Sequence, residues 1–167
     1  MSIATKNGDG GFTDVFSAEK EVFRVLKNDP RIEFIGTLDE LDAFLALAGF
    51  MLKSNGNLCY ANIAGETRKG LVNLMAVKIT ETALHTQWLE QQIALLEKEN
   101  PVQGFVREWA SLAAVYLNAA RAVCRRAERH LVTVTGNTEA ADWAAMLPWL
   151  NRLSDLLFLL AAAEEKR

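Results

Sequence analysis

Apolar residues recur at helical spacing from Thr37 onward, where Leu38, Leu41, Phe44, Leu45 and Ala48 fall on one face of an amphipathic helix. Thr37 reads as the N-cap of that helix. Glu40 completes a capping box, and Asp39 and Glu40 sit at the positive end of the dipole. Asn55-Gly56-Asn57 closes it. A second apolar pattern passes through Leu71, Leu74 and Met75. A third is predicted to start at Thr80, to carry Leu84, Trp88, Leu89, Ile93 and Leu96, and to stop at Asn100-Pro101. The fourth helix is predicted from about Arg107 to Leu131, with Leu112, Val115, Ala119, Ala122 and Val123 as its apolar stripe. Gly136-Asn137 then breaks the chain. Thr138 is the expected cap of a fifth helix that runs through Pro148 to about Glu164, with Leu150, Leu153 and Leu157 facing the core. Pro148 either kinks that helix or sits in the first turn of its main part.

The first thirty residues follow no such period. Thr5 to Thr13 is too rich in Gly and Asn for a helix interior, Val15 to Leu26 is mixed, and Asn28-Asp29-Pro30 marks a turn. This region reads as an ordered loop with at most a short strand. Five helices with no convincing strand pair predict an all-α fold, a five-helix bundle with an ordered Gly-rich N-terminal loop.

Composition narrows the class without naming a chemistry. The chain has 167 residues, 50% of them hydrophobic, and 18 Lys plus Arg against 21 Asp plus Glu give a net charge of −3. That length suits one domain around one core. The apolar content excludes disorder, and 10 Gly, 3 Pro and 2 Cys exclude collagen-like and disulfide-rich scaffolds. A slightly acidic chain lacks the surplus cations that nucleic acid demands, so no nucleic-acid partner is expected. Neither a signal peptide nor a membrane span is visible, which points to the cytoplasm and away from membranes. Cys59 and Cys124 are far apart. Two free thiols in a reducing compartment fit them better than a structural disulfide, and two histidines set aside a His-rich metal site.

Three constellations can carry chemistry. Arg121, Arg125, Glu128 and Arg129 recur at i, i+4, i+7 and i+8 on the fourth helix, a file of always-charged donors suited to a polyphosphate. The alternative is a solvated face laced with intrahelical salt bridges. Asn151 and Asp155 share a face of the fifth helix, where the Asn151 amide can read a base edge or ribose hydroxyl, or simply flank the helix. In Gly8-Asp-Gly-Gly-Phe-Thr13, backbone amides freed by glycine can cradle phosphate, with Lys6 and Thr13 adding side chains. That run matches neither the Walker nor the dinucleotide pattern.

Taken together and in this order, the segments resemble the PduO-type ATP:cob(I)alamin adenosyltransferases nearly end to end. The anchors are Thr5-Lys-Asn-Gly-Asp-Gly-Gly-Phe-Thr13, Arg31-Ile-Glu-Phe-Ile-Gly-Thr-Leu-Asp-Glu-Leu-Asp42, Arg121-Ala-Val-Cys-Arg-Arg-Ala-Glu-Arg129 and Leu150-Asn-Arg-Leu-Ser-Asp155, while residues 57–80 match poorly. The resemblance implies a single domain over residues 1–167, with an ATP-binding loop region at 1–34 and the bundle at 35–167. It also implies a homotrimer with active sites between subunits. The implied reaction moves the 5′-deoxyadenosyl group of ATP to cob(I)alamin and releases triphosphate, with Mg²⁺ held mainly by the phosphates and Glu128 as a further ligand. A non-catalytic sensor or delivery chaperone of the same fold is the alternative.

Carried across, the resemblance has Thr5, Lys6, Gly8, Gly11, Thr13 and Lys27 wrap the triphosphate. Arg125 becomes the main transition-state cation, and Glu128 and Asn151 hold ribose, adenine or the metal shell. Asp39 and Arg121 match the family's pair that bridges subunits and shapes the cobalamin pocket. Phe105 matches the phenylalanine that displaces the lower axial ligand of cobalamin. The departures are Lys6 for arginine, Asn7 for Thr or Ser, Asp42 for asparagine and Asn118 for a frequent histidine. The largest is Val106-Arg-Glu-Trp-Ala110 for Val-Leu-Pro-Gly-Gly, expected to extend the fourth helix and rebuild the cobalamin edge.

Overall fold

The computed structural model describes residues 6–16, 22–102, 104, 108–137 and 141–166. The elements in chain order are β1 (Phe12–Phe16), β2 (Val22–Leu26), α1 (Pro30–Ser54), α2 (Leu58–Met75), α3 (Ile79–Glu99), α4 (Leu112–Asn137), the single turn α5 (Ala141–Ala144) and α6 (Leu147–Glu165). The five long helices are the predicted bundle. The predicted cap Thr138 lies outside the described residues.

The glycine-rich residues 6–11 are a turn, as read, but the strand content is greater than expected. β1 and β2 pair antiparallel with Thr13 opposite Val25 and Val15 opposite Phe23. Val15 is buried against the bundle, while Phe12 and Leu26 on the other face are exposed. A two-stranded ribbon buries one narrow face, so its alternation over five residues is nearly lost beside the glycine run.

α1 starts at Pro30, not after Thr37. The residues Asn28-Asp29-Pro30 are its start signal, with Asp29 as N-cap and proline at the first helical position. Asp29 Oδ1 accepts from the Arg31 amide at 2.9 Å, and the Arg31 guanidinium forks onto the same carboxylate at 2.9 and 2.8 Å. That side-chain bond holds the Asp29 carboxyl below its ordinary range. Thr37 is interior and buried, its Oγ1 donating to the Glu33 carbonyl at 2.8 Å. The capping-box reading fails because the better cap lies upstream.

α2 runs the full distance from Leu58, where the sequence displayed only its last turn. Its buried face is Tyr60, Ala61, Ala64, Thr67, Gly70, Leu71 and Leu74. Small residues allow close packing but barely register as a hydrophobic period. α4 begins at Leu112, and Glu108 to Ala110 are non-helical, so the expected extension does not occur there. Its core face is also rotated from the predicted stripe. Ala113, Ala114, Leu117, Ala120, Val123, Cys124, Ala127, Leu131 and Val134 are buried, whereas Leu112 is 58% and Val115 40% exposed. Of the predicted stripe only Val123 is in the core. α4 has apolar residues on two faces, and the face that carries four alanines and Cys124 among its nine buried residues packs inward. Pro148 takes the second of its two options, in the first turn of α6.

α1 packs along α4 with Glu33 facing His130 and Glu40 paired with Arg126, which makes the two helices antiparallel. α6 covers α4 from the other side, and its Leu150, Leu153, Leu156, Leu157 and Leu160 are fully buried. α2 and α3 complete the layer around His85. The Trp149 indole N–H donates to His85 Nδ1 at 2.9 Å, which leaves His85 Nε2 to donate to the Glu66 carbonyl at 3.2 Å. One neutral tautomer therefore ties α2, α3 and α6 together. A Cβ placed on Gly70 would stand 2.5 Å from the imidazole, so only glycine fits beneath the ring.

Gly70→Ala is expected to destabilise the fold by about 1–3 kcal/mol, since the ring it meets is hemmed in by Trp88 and Trp149. Chemical denaturation checks this. Burial pushes the His85 imidazole below its ordinary pKa of 6.5. The unfolded chain therefore binds the proton more tightly, and this stability is full above that pKa and drains as pH falls below it. The wild-type melting temperature should drop from about pH 7.5 to about pH 5.5 by more than that of His85→Gln, which has no such proton to gain.

Candidate functional site

Antiparallel packing of α4 and α6 leaves a cleft of about 190 Å³ between them. Asn118, Arg121 and Arg125 line it from α4, Ser154, Asp155 and Phe158 from α6, and Trp109 from the segment before α4. α4 turns small residues toward α6, including Ala120, Cys124 and Ala127, which lets the backbones approach closely. The Cys124 thiol is fully buried and donates to the Leu150 carbonyl at 3.3 Å, and burial pushes its pKa far above the ordinary value. It is a packing residue, not a nucleophile.

The charged groups on α4 divide cleanly. Arg126 pairs with Glu40 of α1. Arg121 is oriented by its own helix, its Nε donating to Asn118 Oδ1 at 3.0 Å. Among the described residues no carboxylate pairs with Arg121 or Arg125. The alternative of intrahelical salt bridges therefore does not hold for these two cations. Arg129 turns back to the Arg125 carbonyl at 2.9 Å.

One turn further along, Asn151 Nδ2 donates to Glu128 Oε1 at 3.3 Å, so the structure joins these two predicted residues across α4 and α6. Arg152 holds Asn151 Oδ1 and lies 3.7 Å from Asp155. Asn151, Asp155 and Phe158 follow at i, i+4 and i+7. That spacing could have revealed Phe158 from the sequence, whereas Trp109, outside any helix, gave no periodic signal. Asn118, noted only as a departure, turns out to orient Arg121. Asp42, another departure, takes the Arg68 fork from α2 at 2.8 and 2.7 Å.

The glycine-rich segment forms a second cluster. Lys27 N–H donates to the Gly11 carbonyl at 2.9 Å, closing the loop onto the hairpin. The Lys27 ammonium lies over Gly8, 2.9 Å from where a Cβ would stand. Gly11 has φ 79° and Lys6 φ 60°, so both sit in the left-handed region that favours glycine. Lys6, Gly8, Gly11, Thr13 and Lys27 are thus assembled locally. No hydrogen bond or ion pair among the described residues joins this loop to the arginine cleft. Asp39 is exposed on α1 and makes no ion pair with Arg121 within the described chain. Thr5 and Phe105 lie outside the described residues. No group of three or more His, Cys, Asp or Glu able to hold a metal occurs among the described residues.

The family model for cobalamin adenosyltransferase matches residues 3–164. The corrinoid adenosyltransferase PduO of Citrobacter freundii is 34% identical, with 99% of this chain and 50% of that protein covered. The chain therefore spans about half the length of that relative. A cobalamin adenosyltransferase of Cupriavidus metallidurans is 32% identical, with 95% of this chain and 85% of that protein covered. Among solved structures, an arginine-to-lysine variant of a PduO-type ATP:corrinoid adenosyltransferase from Lactobacillus reuteri, complexed with ATP, superposes with a TM-score of 0.81 at 28% identity over 98% of this chain and 94% of that one. A phenylalanine-to-alanine variant of the Lactobacillus reuteri transferase, complexed with cobalamin and ATP, gives a TM-score of 0.78 at 26% identity over 99% and 94%.

The charge division on α4 yields a direct test with inorganic triphosphate. Arg125→Ala should weaken its binding by roughly tenfold, because an unpaired cation is lost, while Arg126→Ala should change it by less than about twofold. Isothermal calorimetry at fixed salt distinguishes the two.

Proposed function

The chain belongs to the cobalamin adenosyltransferase family, and on that premise we propose that it transfers the 5′-deoxyadenosyl group of ATP to cob(I)alamin, giving adenosylcobalamin and triphosphate. The observation that carries this reading is the cleft where Arg121 and Arg125 have no carboxylate partner among the described residues, beside the Glu128–Asn151 pair. We further read residues 1–167 as one domain, working in the cytoplasm.

Cobalt(I) is the nucleophile. Its electron pair attacks C5′ of ATP, the Co–C bond forms as the C5′–O bond breaks, and the electron pair of that bond departs with triphosphate. The protein has to orient the two substrates, spread the charge on the leaving group and exclude water. Thr5, Lys6, Gly8, Gly11, Thr13 and Lys27 wrap the triphosphate, and Arg125 meets the negative charge that grows there. Glu128 and Asn151 hold ribose, adenine or the metal shell. The donor set fits a cation carried in by the nucleotide, so phosphate oxygens and Glu128 would hold Mg²⁺, which screens triphosphate charge when bound. Asp39, Arg121 and Phe105 shape the cobalamin pocket, Phe105 as an apolar plate against a polar lower ligand.

The assembly we propose is a homotrimer with an active site at each subunit boundary. Two features support it. The predicted stripe of α4 leaves Leu112, Val115 and Ala122 exposed, and Leu47 and Phe50 are 45% and 68% exposed on α1. The glycine-rich segment with Lys6 and Lys27, and the cleft with Arg121 and Arg125, each cationic, are also unconnected within the described chain. A second copy that covers the stripe would bring a loop to a neighbour's cleft, and would pair Asp39 with Arg121 between subunits.

Trp109 favours the alternative, a non-catalytic ATP and cobalamin binder, because a bulky indole lines the cleft where the family's usual run has glycine. Turnover decides between them. With reductant-generated cob(I)alamin and MgATP, the base-on adenosylcobalamin spectrum should appear. Calorimetric binding of both ligands without turnover, beside an active relative, would establish the alternative instead.

A further inference from the structure

The last turn of α6 reaches past the bundle to the connection between α3 and α4. Glu165 Oε1 accepts from the Ala110 amide at 2.8 Å, and Oε2 accepts from the Ser111 amide at 3.2 Å. Ser111 is the residue before the first turn of α4, its carbonyl accepting from Val115 at 2.9 Å. A serine there ordinarily caps with its own hydroxyl. Ser111 Oγ instead is buried without a hydrogen-bond partner, and a carboxylate from a distant helix takes the amides at the positive end of α4.

The carboxylate is itself held in place. Its neighbour Glu164 is buried and accepts from Asn55 Nδ2 at 3.1 Å and Asn57 Nδ2 at 2.7 Å, which fixes the end of α6 against the turn between α1 and α2. Lys166 Nζ donates to the Pro101 carbonyl at 3.0 Å. The α3–α4 connection is thereby pinned by adjacent residues near both of its ends, at Pro101 and at Ala110-Ser111. Trp109 immediately precedes the pinned amides and lines the cleft with Arg121, Arg125 and Phe158.

We propose that Glu165 is a positioning residue that sets Trp109 as an aromatic wall of the cleft, and that Trp109 with Phe158 determines how the flat apolar face of the corrin is accepted. Trp109 and Phe158 offer broad planar surfaces, which suit a macrocycle, while the triphosphate end of ATP is served by cations. This rests on the transferase reading for its substrate, but the placement of Trp109 does not.

The experiment compares wild type, Glu165→Ala, Glu165→Gln and Trp109→Ala as full chains. Hydrogen exchange at the Ala110 and Ser111 amides should quicken by roughly tenfold in Glu165→Ala, with global protection unchanged. The KM for cob(I)alamin should rise by about fivefold or more in both Glu165→Ala and Trp109→Ala while the KM for ATP stays within about twofold. Glu165→Gln, which keeps one acceptor oxygen, should recover part of the loss. Unchanged exchange would overturn the role of Glu165. A rise confined to ATP, or equal in both substrates, would overturn the role of Trp109. A wild type without turnover defeats the transferase reading alone. In that case exchange still judges Glu165, and cobalamin binding to Trp109→Ala still judges Trp109, with affinity equal to wild type as the result that overturns it.

Discussion

Close approach of α4 to α6 is the constraint on which the site depends. Alanine at 113, 114, 120 and 127 and the small thiol of Cys124 lower the inner face of α4 around the bulkier Leu117 and Leu131. Leucine from α6 and α1 fills it. Because the backbones approach closely, side chains on the flank of α4 meet those on the flank of α6 directly. Asn151 then reaches Glu128, and Arg121, Arg125, Asp155 and Phe158 share one cleft. Larger residues on the inner face would push the helices apart and dissolve both contacts. Packing on one side of α4 thus positions chemistry on its edge.

Charge is handled with the same economy of position. Arg126 reaches Glu40 and joins two helices, while Arg121 is steered by the neutral Asn118 and pairs with no carboxylate among the described residues. A net charge of −3 conceals this local surplus. Surface ion pairs contribute little to stability, so the distinction matters for what the helix binds and hardly for whether it folds. His85 shows the converse, a titratable group whose buried neutral form joins three helices.

Helix existence was largely legible in the sequence, because leucines at 3.6-residue spacing in α1 and α6 face one core. Phase and boundaries were less so. α4 carries apolar residues on two faces, and the bulkier Leu112 and Val115 misdirected the assignment, although alanine makes the tighter contact. The start of α1 was hidden in a run that also reads as a turn, since Asp-Pro serves both purposes. The hairpin was obscured by its own narrowness. In the site, i, i+4 spacing exposed Arg121 with Arg125 and Asn151 with Asp155. The resemblance assigned Glu128 and Asn151 a shared role, but their meeting is a tertiary contact that no spacing along the chain showed. Trp109 stood out only as part of a departure from the family's run, and the link from that segment to Glu165 was invisible, since it spans from before α4 to the end of α6.

If each site is split between a cationic loop on one copy and a cationic cleft on the next, subunit complementation reveals it. Lys27→Glu spoils the loop, Arg125→Ala spoils the cleft, and each variant alone should be inactive in adenosyl transfer. Refolded together, mixed oligomers place an intact loop against an intact cleft at some boundaries. Activity should then return to a substantial fraction of wild type. A mixture as inactive as its parents, with mixed oligomers verified by mass, would contradict the account and place the whole site within one chain.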